Sequence, residues 1–204
     1  MPVNPAILLC VLAATLFTIL PVGPAYAVPS GHYHQPTRTQ LDRLNRYEPY
    51  VRYFTSLTYG PNHARVSADY IRALILVESA GLRMAESNRG ARGLTQILPE
   101  TALLALAELA REGRNYLYVD ERVFRNFDPD DLYDPALNIL IACHLSASYH
   151  AMYDGDTELI VSAWNAGPGA VARYGNRPPP YNETQGMIGR ILRYLVYLDE
   201  VNDL

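Results

Sequence analysis

Cysteine is nearly absent from this chain of 204 residues, which holds two. Cys10 lies in an N-terminal segment expected to be removed, so the mature chain keeps Cys143 alone and no intramolecular disulfide is possible. A lone Cys in an apolar helical stretch reads as a small buried hydrophobe. His144 and His150 are neighbours in sequence, which does not make their side chains partners of a nucleophilic thiol. Positive charge is also scarce. With 17 Lys+Arg against 21 Asp+Glu the chain has no general cationic surface, which excludes a polybasic nucleic-acid binder. A polyanionic partner would have to be held by local hydrogen bonds and by stacking on the 16 Tyr. Charged residues make up only 19% against 49% apolar, which excludes a disordered, collagen-like or coiled-coil chain and provides for the core of one soluble domain. Metal-ligand patterns are missing too. His32 and His34 have no Cys or carboxylate at ligand spacing, and Asp154-Gly155-Asp156 lacks the terminal Glu of a calcium loop, so both read as solvated residues and no metal is expected.

One uncharged apolar run is present, from Ala6 to Leu20, followed by Pro21, Gly23, Pro24 and the small-x-small triplet Ala25-Tyr26-Ala27. This resembles a secretory signal peptide cut after Ala27. The run falls short of the roughly 20 residues of a spanning helix, so no stable membrane span is expected after cleavage. No Lys or Arg precedes it, which keeps an uncleaved anchor as the alternative. The expected organisation is a signal peptide over 1–27, a flexible leader over 28–46 and a folded domain over 47–204, in a periplasmic or otherwise exported protein.

The rest reads as successive helices without convincing strand alternation. Leu41, Leu44 and Tyr47 begin an amphipathic stretch that Pro49 can break, and Val51, Phe54 and Leu57 continue it. Ser67 can cap a helix with Tyr70, Ile71, Leu74 and Ile75 as its apolar body. Gly81, Gly90 and Gly93 then mark residues 80 to 97 as a loop suited to close backbone approach. Pro99 suits the first position of a helix that stops at Gly113, residues 114 to 133 are mixed, and Asp134-Pro135 starts a helix running to about Met152. A short helix from Thr157 ends at Asn165-Ala166-Gly167-Pro168-Gly169. A last one follows Pro178-Pro179-Pro180, with Ile188, Ile191, Leu192, Leu195 and Leu198 as its apolar face.

Glu78 is the most unusual residue, placed where the apolar helix ending Leu74-Ile75-Leu76-Val77 opens into the glycine-rich loop. A carboxyl desolvated by such neighbours has its pKa raised and serves as a general acid near neutral pH. On periodicity alone, the alternative is a solvent-facing Glu in a last helical turn. The company of Glu78 decides between them. Glu78-Ser79 is followed by Ser87, by Gly90-Ala91-Arg92-Gly93-Leu94-Thr95-Gln96 and by Pro99-Glu100-Thr101-Ala102. Then come Asp134-Pro135, Asn138-Ile139, the block Ala163-Trp164-Asn165-Ala166-Gly167-Pro168-Gly169, and Pro179-Pro180-Tyr181 with Glu183-Thr184.

In this order and at these separations the residues closely resemble the soluble lytic transglycosylase family (glycoside hydrolase family 23), related in fold to goose-type lysozyme. The resemblance runs from about residue 47 to 198. It implies a mainly α, lysozyme-like single domain with a groove for the glycan strands of peptidoglycan. It also implies cleavage of the bond between N-acetylmuramic acid and N-acetylglucosamine without added water, leaving 1,6-anhydromuramoyl ends. Glu78 matches the catalytic acid/base, Ser87 and Gln96 match loop residues that contact sugar, Asn165 matches a cleft residue and Glu183 a groove glutamate. Trp164 stands where the family usually has Tyr, and keeps a stacking face and one N–H donor but no acceptor. Thr95 replaces a usual Met and Gly81 a common aromatic, both removing apolar area from the expected groove. Gln185, Met187 and Ile188 stand where Arg and a Tyr-Val pair are usual. No cofactor is implied, since proton transfer within one sugar needs neither metal nor nucleotide.

Two other readings share the scaffold: a lysozyme-like hydrolase that adds water, and an inactive glycan-binding module of envelope assembly. An exported wall-cleaving enzyme of this size often works within a secretion or conjugation apparatus or another envelope complex. Residues 28 to 47 and the loop from 113 to 133 are the expected places for such contacts.

Overall fold

The computed structural model describes residues 35–202, so the segment read as a signal peptide lies outside the described residues. Among these, eight α-helices follow one another: α1 Arg38–Asn45, α2 Glu48–Ser56, α3 Ala68–Ser79, α4 Pro99–Arg111, α5 Pro135–Met152, α6 Thr157–Ala166, α7 Pro168–Arg173 and α8 Asn182–Asn202. Two short 3-10 helices, Glu121–Phe124 and Pro129–Tyr133, interrupt the mixed stretch before α5. The extended pairing among the described residues is limited to isolated bridges, Tyr59 with Ala64 and Arg92 with both Glu86 and Ile97. No helix of the described residues is long and apolar enough to cross a membrane.

The caps follow local chemistry. The Ser67 hydroxyl accepts from the amides of Asp69 and Tyr70 at the start of α3, and the Asp134 carboxylate accepts from Ala136 and Leu137 at the start of α5. Asp156, the last residue of the supposed calcium turn, caps α6 through the Leu159 amide. The helix break expected at Pro49 falls just before it. A proline ring in a helix interior collides with the carbonyl four residues earlier, and α1 ends at that residue, Asn45.

One expectation needs correction and one helix is added. The leader read over 28–46 contains α1, which a reciprocal capping box between Thr37 and Gln40 starts and which buries Leu44 against the core. Between the helix from Thr157 and the last helix, Pro168 at the first position of a new turn starts a further short helix, α7.

α5 is buried around nearly its whole circumference from Ala136 to Ala147 and packs against α2, α3, α4 and α6. Such a helix forms the centre of a bundle and has no polar face to offer water. Cys143 lies fully buried within it as a free thiol, and burial pushes that thiol far above its usual range. On one side of α5, α3 and α6 both pack on α8, which brings the C-terminal end of α3 toward the last two blocks of the sequence pattern.

Candidate active site

Glu78 sits in the last turn of α3, and Ala80 closes that helix in a left-handed conformation with φ 53°. Ser79, itself buried, donates from its hydroxyl to the Leu94 carbonyl at 2.7 Å, tying the helix end to the loop that follows. The loop is fixed from the other side by Asn138 of α5, which is fully buried. Its Oδ1 accepts from the Thr95 amide at 2.9 Å and the Thr95 hydroxyl at 2.7 Å, while its Nδ2 donates to the carbonyls of Arg92 at 3.1 Å and Leu132 at 3.0 Å. Gly93 is required here. A Cβ at that position would stand 2.2 Å from the Leu132 oxygen and 2.3 Å from Asn138 Nδ2, on a backbone with φ +80°.

This packing corrects the expectation for Thr95 and explains Gly81. Thr95 is wholly buried and faces Asn138, so it is not part of a groove wall. At Gly81 a Cβ would meet the Cβ of Arg43 at 2.9 Å, because α1 lies over that position. The Gly81 carbonyl also accepts from the Tyr47 hydroxyl at 3.2 Å.

Trp164, in α6, donates its indole N–H to Glu78 Oε1 at 2.9 Å across 86 positions of sequence. Glu78 Oε2 has no hydrogen-bond partner among the described residues. Burial raises the Glu78 carboxyl from its ordinary value to about 7. The Trp164 N–H and the charge of Arg190 oppose this rise, and the charge of Glu183 reinforces it. Glu78 is therefore divided between acid and carboxylate near neutral pH, as a group that first gives and then takes a proton requires. Trp164 is the chain's one tryptophan. Its fluorescence is expected to titrate with Glu78, with a midpoint at about 7, and the titration is expected to vanish in Glu78→Gln.

Gln96, Trp164 and Asn165 come together on one cavity of about 340 Å³, with Ile97, Leu145 and Tyr149 among its walls. Gln96 adopts a left-handed backbone, φ 52°, and its amide nitrogen donates to the carbonyls of Ala85 and Gly93, which leaves Oε1 as its open group. Asn165 accepts from the Thr184 hydroxyl at 2.6 Å, linking the end of α6 to the start of α8 and leaving its own Nδ2 to donate. Glu78, Ser87 and Glu183 lie outside this lining, and Trp164 is the residue that joins the cavity to Glu78. The Ser87 oxygen accepts from the amides of Arg89 and Ala91 and so shapes its own turn. Glu183 is exposed at the start of α8 and reaches Glu78 through its charge. A roomier hollow of about 640 Å³ around Glu108, Arg111 and His144 shares no lining residue with this cavity.

Sequence reasoning missed three contributors. Asn138 stands out only as part of a motif, yet it is the anchor of the loop. Tyr70 is buried, and burial, then the Glu78 charge, pushes its phenol up, so it stays protonated. Arg190 has one signal in the sequence, its position seven residues after Glu183 on the same helical face.

Residues 59–185 match the profile of the Transglycosylase SLT domain. The chain is 29% identical over 160 residues to a Haemophilus influenzae protein provisionally named soluble lytic murein transglycosylase, covering 72% of this chain and 24% of that protein. It is 28% identical over 156 residues to the soluble lytic murein transglycosylase of Salmonella typhimurium, covering 71% and 22%. The chain thus matches less than a quarter of the length of either relative. Among solved structures it resembles the 70 kDa soluble lytic transglycosylase of Escherichia coli with a TM-score of 0.55 and 25% identity, covering 77% of this chain and 23% of that one. A complex of the 70 kDa soluble lytic transglycosylase with bulgecin A gives a TM-score of 0.60 at 23% identity, covering 80% and 26%. The expected mainly α, lysozyme-like architecture is the one observed, and with the match running from the Tyr59 bridge through Glu78 to Gln185, the chain belongs to the Transglycosylase SLT domain family.

Proposed function

We propose that this protein is an exported peptidoglycan lytic transglycosylase in which Glu78 is the catalytic residue. The observation that carries the reading is the state of Glu78: a carboxyl raised to about 7, with one oxygen held by Trp164 and the other free of protein partners. The protonated Glu78 donates to the glycosidic oxygen between N-acetylmuramic acid and N-acetylglucosamine as the C1–O4 bond breaks. The substrate's own acetamido group supports the positive charge that develops at C1. The resulting carboxylate then takes the proton of the C6 hydroxyl while O6 bonds to C1, giving the 1,6-anhydro ring and returning Glu78 to its acid form. No water is consumed, and one carboxyl serves both proton transfers.

The Trp164 N–H steadies the carboxylate between the two steps, since a hydrogen bond to the charged form favours it. Gln96 Oε1 and Asn165 Nδ2 offer an acceptor and a donor to the sugar, and the bond between Asn165 and Thr184 sets the direction of that donor. Glu183 keeps the proton on Glu78 by like-charge repulsion. Ser87 contributes through the turn that presents the loop, and its hydroxyl proton remains available to sugar. Export through the N-terminal segment and association with an envelope complex complete the reading.

Digestion of purified peptidoglycan by the protein, with mass spectrometry of the soluble fragments, tests it. Muramoyl ends one water lighter than reducing ends are expected. Reducing ends would make the protein a hydrolase, and no release from intact or peptide-free strands would leave a glycan-binding module.

A further inference from the structure

α8 carries two arginines folded back over glycines one turn earlier. A Cβ on Gly186 would meet Arg190 Nη1 at 3.6 Å, and one on Gly189 would meet Arg193 Nη1 at 3.4 Å. Helical side chains lean toward the N-terminus of their helix, so the Arg190 guanidinium lies over the turn of Gly186, where the backbone is bare. Glu183, Gly186 and Arg190 form one exposed stripe at helical spacing, while Met187, Ile188 and Ile191 turn into the core. α8 packs against α3, and Arg190 is the cation whose charge acts on Glu78.

Arg190 combines two features: its charge acts on Glu78 from the helix that packs on α3, and its guanidinium is uncommitted. Arg72 is engaged by Glu48 and Asp69, Arg92 by Glu86 and Asp130, and Arg122 by Asp131. Arg190 has no ion pair and no side-chain hydrogen bond among the described residues, although Glu183 shares its face. Its planar fork of donors matches a carboxylate bidentately, a fit that an ammonium or an amide does not reproduce. At residue 185, where the family usually has Arg, this chain has Gln185, whose amide donates to the Pro179 carbonyl at 3.0 Å and so braces the loop before α8.

We propose that Arg190 is a specificity-determining residue that binds a carboxylate on the muramoyl side chain of the substrate while Glu78 acts on the adjoining bond. The inference rests on the transglycosylase reading. The carboxylate has two possible sources, the lactyl group of a strand stripped of peptide or an acidic residue of the peptide stem.

The experiment compares the wild type, Arg190→Met and Arg190→Lys on three soluble glycans: peptide-free strands, strands with acidic stems, and strands whose stem carboxylates are amidated. Binding is followed by Trp164 fluorescence in a Glu78→Gln background, and turnover with Glu78 intact. Arg190→Met is expected to weaken binding and raise KM by roughly tenfold on one or both carboxylate-bearing glycans, with kcat within about threefold. Arg190→Lys is expected to recover part of the loss. On the amidated strands the Met variant and the wild type should coincide. The glycan that shows the loss names the source of the carboxylate. Equal weakening on all three glycans, or none on any, would overturn the assignment. The same series separates it from the enzymatic reading, because a wild type that binds acidic glycans through Arg190 but releases no 1,6-anhydro ends would keep the first and remove the second.

Discussion

Glu78→Gln is expected to stop product release and at the same time to make the fold more stable above neutral pH. The loss of activity follows from removing the proton that the glycosidic oxygen receives and the base that the C6 hydroxyl needs, and a positioned acid or base is worth roughly 10²–10⁴ in rate per step. The gain in stability follows from linkage. The folded state holds the Glu78 proton up to about 7, against an ordinary value of 4.5. Between those values the native protein binds more protons than the unfolded chain, so stability falls as pH rises through this window. The full cost is about 3 kcal/mol above the upper value. Gln keeps an acceptor for the Trp164 N–H and has no charge to bury, so it escapes this loss. Thermal unfolding at about pH 4 should therefore give similar midpoints for the two proteins, and at about pH 8 a higher midpoint for the variant. Equal midpoints at both pH values would show that Glu78 is solvated like an ordinary surface carboxylate. Sites that work with a desolvated charge commonly carry such a stability cost.

Gly93→Ala is expected to be the most disruptive small substitution in the loop, lowering stability by about 3–5 kcal/mol. Two terms contribute. Ala in a left-handed conformation costs about 1 kcal/mol or more, and its Cβ would displace the Leu132 carbonyl and Asn138 Nδ2, which stand 2.2 Å and 2.3 Å away. Moving Asn138 leaves buried carbonyls and the Thr95 amide unsatisfied, at about 1–3 kcal/mol each. For a chain of this size the melting temperature should fall by roughly 10 °C. Gly90→Ala is the control, since Gly90 has φ +78° but nothing within 4 Å of its Cβ position, so it carries the conformational cost alone. Similar melting temperatures for the two variants would mean that the loop relaxes around the new methyl group. Gly93→Ala should also lower turnover, because Gln96 donates to the Gly93 carbonyl and is positioned by the same turn.

Much of the fold is legible in the sequence because helix starts and stops are decided within a few residues. Ser67, Asp134 and Pro99 lie where their chemistry predicts, and Gly113 follows the end of α4. The start of α1 and the whole of α7 are not legible for a similarly local reason, since the Thr37–Gln40 box and the Pro168 start are short signals beside a proline-rich leader and a glycine-rich turn.

The site divides differently. Glu78 can be singled out as the proposed acid/base from the sequence, because a glutamate at the end of an apolar helix, followed by separated blocks in register, is a pattern of residue types and spacings. The state of that residue depends on how the helices pack. Trp164 lies 86 positions away and Arg190 farther still, and their effects on Glu78 depend on the packing of α3, α6 and α8. Burial, hydrogen bonding and the field of a distant charge are properties of that packing, so the proton affinity of Glu78 and the inward turn of Thr95 arise only when the helices meet.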